Sequence, residues 1–180
     1  MIYVFLADGF EEMEALAPID ILRRVGIEVA TVGVTGTAVT AAHGVTFQTD
    51  LSLRDISMET CDGVLLPGGM PGTKHLKENQ TVCDFTLEAY HKGALVAAIC
   101  AAPSVLGSLG ILKGKKATCF PGFEEALSGA DVTGDYVTVC ENCITARGAG
   151  ASIEFGLALV TYLLSEEKSE ELRASMQCVR

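Results

Sequence analysis

The chain has 180 residues, 49% of them hydrophobic and 20% charged, with 13 basic against 23 acidic side chains for a net charge of −10. This fits one folded domain (1–180) with a sizeable core and excludes a disordered or fibrous chain. An acidic surface whose basic run KGKK (113–116) is short repels phosphate backbones and anionic lipid, so nucleic acid and membrane surfaces are disfavoured as partners.

The start, MIYVFLADGF, has no basic region ahead of its brief apolar stretch, and ASIEFGLALVTYLL (151–164) is too short to span a bilayer and contains Glu154. The protein therefore reads as soluble and cytoplasmic. Seven cysteines, an odd number in a chain that needs no staples, read mostly as reduced thiols.

In chain order, 2–6 is an apolar strand, and Asp8-Gly9 signals a turn. A helix follows over 11–24, with acidic residues at its start and Arg23 and Arg24 at its end, before Gly26 stops it. IEVATVGV (27–34) is a second strand. VTAAHGVTFQTD (39–50) suggests short strands around His43-Gly44. GVLLPGG (63–69) is a buried strand that breaks on Pro-Gly-Gly, and His75 sits in a polar loop. A helix over 81–92 ends at Gly93, a strand over 95–99 follows, then a helix over 103–109. A short strand is expected at 117–119, and strands 137–139 and 144–146 flank the turn CEN. An apolar helix covers 151–164 and a polar one 169–177. Apolar strands alternating with helices predict an α/β fold: a mostly parallel sheet with helices on both faces. Ligands in such folds gather beyond the carboxyl ends of the strands, here at 7–10, 67–70 and Cys100.

Cys100, in AAICAAPS (97–104), stands where a buried strand turns into a helix. A free cysteine is often just a small buried hydrophobe. At this position, however, a sharp turn holds the side chain out of the sheet, and helix amide groups favour the thiolate. Cys61, Cys83, Cys119 and Cys178 have no partner in sequence. Cys140 and Cys143 form C-x-x-C, but they flank a turn rather than open a helix, and no second ligand pair completes a metal site. PGGMPG (67–72) matches neither phosphate-loop pattern and reads as a tight turn that brings a backbone N–H close to a ligand. ARGAGAS (146–152) opens a helix as an anion site or a packing turn. Helical spacing lets at most two of Glu11, Glu12 and Glu14 reach one site. His43, His75 and His91 all precede Cys100, and Ala101 follows it directly, which excludes a glutamine-amidotransferase triad and a protease with His next to Cys.

Taken together, LADGFEEMEALAPIDILRRVGIEV, VLLPGGMPG, VAAICAAPSVL, Phe120-Pro121 and TARGAGAS resemble the ThiJ/PfpI superfamily, in its Parkinson-disease deglycase branch and the bacterial YajL-like members. The resemblance implies a three-layer flavodoxin-like sandwich, a homodimer and no bound cofactor. It matches Cys100 to the reactive, oxidisable cysteine and Glu14 to the glutamate that hydrogen-bonds it. Gly69 and Ala101 match positions whose N–H groups face the site, while Arg24 and Gly148 match the dimer-side neighbourhood. Phe120 stands where many members have His, which puts a Cys-His dyad there in doubt. His43 stands where close relatives have Arg, either as a turn residue or reaching the cysteine of a second subunit.

A neutral Glu14 would stabilise a thiolate or sulfinate, whereas an ionised one would raise the thiol pKa. Such a thiolate can add to an aldehyde such as methylglyoxal; the carboxyl can then move a proton between adjacent carbons toward a hydroxy acid, with the Gly69 and Ala101 N–H groups on the oxyanion. Two functions follow. One is a cofactor-free enzyme acting on reactive dicarbonyls or their early adducts on protein groups, as a glyoxalase III or deglycase does. The other is an oxidative-stress sensor or holdase chaperone switched by oxidation of Cys100, without turnover.

Overall fold

Five apolar residues in a row, all buried, form strand β1 (Ile2–Leu6). A run with no polar alternation is satisfied only inside a sheet covered on both faces. The computed structural model, which describes residues 1–178, shows that sheet. After β1 come helix α1 (Glu12–Arg24), β2 (Val29–Gly33), the hairpin strands β3 (Ala38–Thr40) and β4 (Thr46–Gln48), β5 (Leu51–Ser52) and β6 (Gly63–Leu66). Helices α2 (Gly72–Glu78) and α3 (Gln80–His91) lead to β7 (Leu95–Ile99), α4 (Pro103–Ser108) and the short β8 (Lys116–Ala117) and β9 (Asp131–Val132). The chain continues through β10 (Val137–Cys140), β11 (Cys143–Ala146), α5 (Ser152–Leu163) and α6 (Glu166–Ser175).

The seven-stranded sheet runs β10-β11-β7-β6-β1-β2-β5, parallel except for the β10–β11 hairpin. Alternate β1 side chains feed opposite layers. Ile2, Val4 and Leu6 pack with Ile19, Leu22, Phe155 and Leu172 from α1, α5 and α6. Tyr3 and Phe5 pack with Leu76, Val82, Ala89 and Val105 from α2, α3 and α4. This is the expected three-layer sandwich. Each fully buried Leu or Phe contributes about 1.5–3 kcal/mol. Helices α1 and α5 approach closely because Gly156 has no side chain: a Cβ there would lie 2.6 Å from Ile21 Cδ1.

The structure revises several sequence boundaries. His75 lies in helix α2, not a loop; Leu76 buries that short helix against the sheet, and His75 Nδ1 sits 2.9 Å from the Asp8 carbonyl. The last helix begins at Glu166 rather than 169, because the Ser165 hydroxyl caps it by accepting the Lys168 N–H at 3.2 Å. The strand expected at 117–119 is instead Lys116–Ala117, paired with β9. A 3₁₀ turn, Ala149–Ala151, precedes α5.

Candidate active site

Three loops meet beyond the carboxyl ends of β1, β6 and β7, where the chain's path reverses direction across the sheet. The loop after β1 delivers α1, whose first turn is capped by its own neighbour: the Glu11 carboxylate accepts the Glu14 N–H at 2.8 Å. That cap orients α1 so that Glu14 turns inward, leaving it 1% exposed. The loop after β6 supplies Gly68 and Gly69. The Gly68 N–H donates to Glu14 Oε2 at 2.9 Å, and its carbonyl accepts the Glu11 N–H at 3.0 Å. The loop after β7 is Cys100 itself.

Cys100 adopts φ +65°, in the left-handed region that costs a non-glycine residue on the order of 1 kcal/mol or more. Its backbone is clamped on both sides. The Cys100 N–H donates to the Ala146 carbonyl at 2.9 Å, and its carbonyl accepts the Phe120 N–H at 2.8 Å. The thiol is thereby held toward the Glu14 carboxyl and the N–H groups of Gly69 and Ala101.

Glycine is required at 68 by contact. A Cβ there would fall 2.6 Å from Glu14 Oε2 and 2.7 Å from Cys100 Cβ. Gly69 has φ +88°, and a Cβ on it would lie 2.5 Å from the Glu11 nitrogen. The turn expected at PGGMPG is therefore the wedge through which carboxyl and thiol meet.

Burial raises Glu14 to about 7, with the Glu11 charge adding to it while hydrogen bonds from Cys100 and the Gly68 N–H pull it down. The Cys100 thiol is pushed up to about 12, by burial first and then by the Glu14 charge and hydrogen bond, against the N–H groups of Ala101 and Gly69. This corrects the expectation that the elbow alone favours a thiolate: the following helix has only six residues, and desolvation outweighs it. The two groups titrate as a pair. Glu14 gives up its proton near 7 and Cys100 only near 12, so over that interval the negative charge sits on the carboxyl beside a neutral thiol.

The other acidic residues of α1 do different work. Glu12 pairs with His43, whose Nδ1 lies 2.8 Å from Glu12 Oε2 and whose N–H donates to Glu12 Oε1 at 2.9 Å. That hydrogen bond raises His43 and ties the exposed β3–β4 turn to α1. Ligating atoms of Glu11, Glu12 and His43 lie within 4.8 Å of one another, a juxtaposition that sequence spacing did not reveal. Each already has a partner in the capping and pairing just described.

Arg24 lies at the far end of α1, with its Nε bonded to Asp20 Oδ2 at 2.7 Å, and does not join Cys100. Gly148 is brought close: a Cβ there would stand 3.2 Å from the Phe120 ring. The C-x-x-C cysteines face each other as opposed residues of the β10–β11 hairpin, across a two-residue turn. The site residues that sequence reasoning missed are Gly68 and the backbone groups of Ala146 and Phe120. The adjacent glycines after a buried strand were the available signal for the first; only the tertiary fold reveals the others.

Fold and site together define an α/β protein with a strained, carboxyl-paired cysteine at the switch point of a parallel sheet. The chain belongs to the DJ-1/PfpI family, whose model matches residues 1–162. It is 38% identical over 172 residues to the Drosophila melanogaster protein dj-1beta, covering 94% of this chain and 92% of that one. It is 39% identical over 171 residues to the Arabidopsis thaliana protein DJ-1 homolog A, covering 93% of this chain; the chain spans only 44% of that relative's length. A Caenorhabditis elegans relative, 32% identical over 164 residues and matched over 90% of this chain and 87% of its own, is named a glutathione-independent glyoxalase. Among solved structures, oxidized DJ-1 from Toxoplasma gondii superposes with a TM-score of 0.95 at 31% identity, covering 99% of this chain and 98% of that one.

Proposed function

We propose that the protein converts reactive α-oxoaldehydes such as methylglyoxal, free or as early adducts on protein groups, to hydroxy acids, with Cys100 as nucleophile and Glu14 as proton carrier. The observation that carries this reading is the buried Glu14 carboxyl, raised to about 7 against the Cys100 thiol, because a group poised near neutrality can both take and return a proton. Glu14, ionised above about 7, takes the thiol proton as sulfur adds to the aldehyde carbon. The new oxyanion lies toward the Gly69 and Ala101 N–H groups and gains a proton to complete the hemithioacetal. Glu14, now ionised, removes the hydrogen of that carbon as a proton and returns one to the adjacent carbon, while the hydroxyl proton of the first carbon passes to the ketone oxygen, leaving the thioester of a 2-hydroxy acid. Water cleaves the thioester to the hydroxy acid and restores the thiol. Aldehyde, ketone and water are thus converted to a hydroxy acid with no external oxidant, and the chemistry calls for no cofactor. The name of the C. elegans relative supports the same class of reaction.

The same geometry favours a second use. A sulfinate on Cys100 would accept hydrogen bonds from the Gly69 and Ala101 N–H groups and from a neutral Glu14, so oxidation at this position would be stabilised whether or not turnover is the main role. For assembly, we infer a homodimer through α1 and α5, where Met13 (57% exposed), Leu16 (37%) and Ile153 (43%) surround an apolar groove of about 320 Å³. Sedimentation at micromolar concentration tests this; a stable monomer would contradict it.

The catalytic proposal is tested by proton NMR of purified protein with methylglyoxal. Wild type should form lactate and Cys100→Ala should form none. Equal lactate from both would remove Cys100 from the reaction.

A further inference from the structure

The reaction proposed above uses the two carbonyl carbons of its substrate and leaves the rest of the molecule unplaced. Next to Phe120, whose main chain is hydrogen-bonded to Cys100, lies a cavity of about 330 Å³ lined by Phe120, Tyr136, Arg147 and the Gly148–Gly150 segment. Both ends of its lining connect to the nucleophile. Phe120 donates its N–H to the Cys100 carbonyl at 2.8 Å, and Ala146, which accepts the Cys100 N–H at 2.9 Å, immediately precedes Arg147.

Two exposed aromatic rings line this cavity, and the backbone that carries each is anchored. Phe120 is 47% exposed and Tyr136 is 54% exposed. A Cβ on Gly148 would stand 3.2 Å from Phe120 Cδ2, and one on Gly150 would stand 3.0 Å from the Tyr136 hydroxyl, so glycine at both positions lets the rings settle. The segment carrying Tyr136 is pinned by Arg147, whose N–H donates to the Tyr136 carbonyl at 3.0 Å and whose Nη1 donates to the Gly134 carbonyl at 3.4 Å. The result is a slot lined by two rings, backbone and one guanidinium, which shares Ala149 and Gly150 with the groove at which we infer the homodimer.

We propose that this slot is a substituent subsite, which selects α-oxoaldehydes bearing an aryl group over those bearing a methyl group. The inference rests on the α-oxoaldehyde reading for its reaction, but its recognition chemistry belongs to residues outside the Cys100–Glu14 pair. An aryl ring entering between Phe120 and Tyr136 gains edge or offset contacts with each, and a guanidinium face from Arg147. Each aromatic contact is worth about two- to tenfold in affinity. A methyl group is too small to reach both rings.

The probe pair is phenylglyoxal and methylglyoxal, compared by initial rates. In the wild type, kcat/KM should favour phenylglyoxal. The phenylglyoxal-to-methylglyoxal ratio should fall about tenfold in Tyr136→Ala, and by a similar factor in Phe120→Leu, which keeps the backbone bond to Cys100. An unchanged ratio in both variants would overturn the subsite even with methylglyoxal turnover intact. If the wild type turns over neither aldehyde, the reaction reading fails, and the subsite is judged by binding alone. NMR shifts of the Phe120 and Tyr136 ring signals on adding mandelate, but not lactate, to Cys100→Ala would support it; no shift with mandelate would overturn it.

Discussion

Two turns of this protein place a non-glycine residue in the left-handed region next to cysteine chemistry, at opposite edges of the sheet. At the carboxyl edge the strained residue is Cys100 itself (φ +65°); at the amino edge it is Glu141 (φ +55°), in the turn between Cys140 and Cys143. Both regions contain a thiol raised by burial, to about 12 at Cys100 and about 11 at Cys143. In the hairpin the strained side chain makes an ion pair: Glu141 meets Lys115, whose ammonium lies 5.6 Å from the Tyr90 ring centroid. Asn142 completes the anchor by donating to the Ala94 carbonyl at 2.8 Å. In the elbow the strained side chain faces a carboxyl poised near 7. A raised thiol is therefore common to both regions; what sets the elbow apart is the buried carboxyl beside it.

The largest effect should come from filling the wedge between the elbow's two groups. Gly68→Val puts carbon where Glu14 Oε2 and Cys100 Cβ already stand 2.6 Å and 2.7 Å away. Lactate formation should fall by ~10²-fold or more, the cost of about 1 Å of misplacement, with a lowered melting temperature. Normal lactate formation by this variant would mean the two groups need not meet.

The next effect is on stability against pH. Glu14 is raised in the folded state from 4.5 to about 7, so the folded protein holds that proton more tightly than the unfolded chain. Stability is therefore fully present below 4.5 and declines as pH rises to 7, by about 3 kcal/mol for a shift of this size. Urea denaturation at pH 5 and pH 8 should show this loss in wild type and little of it in Glu14→Gln. Equal slopes in the two proteins would place Glu14's ionisation outside folding.

Peroxide separates the two cysteine regions directly. Peptide mass spectrometry after limiting peroxide at pH 8, where Glu14 is ionised and can take the thiol proton, should show sulfinate at Cys100 before any oxidation at Cys140 or Cys143. Earlier oxidation in the hairpin would reverse the comparison. The smallest effect is on the hairpin anchor. Lys115→Ala should cost about 1 kcal/mol in denaturation while leaving lactate formation unchanged, since its partner Glu141 is mostly exposed. A loss of activity there would mean that the two edges are coupled.

Much of the fold was legible because its strands are uninterrupted apolar runs that only a doubly covered sheet can hold. Helix α2 was not legible, since seven residues with a single buried large apolar side chain, Leu76, give no period to read. The elbow could be placed from topology, but the choice among Glu11, Glu12 and Glu14 came through family resemblance. Helical spacing restricts how many can point one way without naming which. The fold makes the choice by giving Glu11 the cap, Glu12 to His43 and Glu14 to the cysteine. Gly68 was hidden for a related reason: its neighbours come from loops about 30 to 54 positions away in sequence, and only their meeting excludes a side chain.

The most direct test of the Cys100–Glu14 pair is Glu14→Gln, assayed for lactate by NMR and for Cys100 sulfinate by mass spectrometry on one preparation. The amide can still donate to sulfur and accept the Gly68 N–H, but it cannot give up and retake a proton at neutral pH. Lactate should fall by ~10²-fold while sulfinate still forms. Full lactate production by Glu14→Gln would contradict the proton-carrier role.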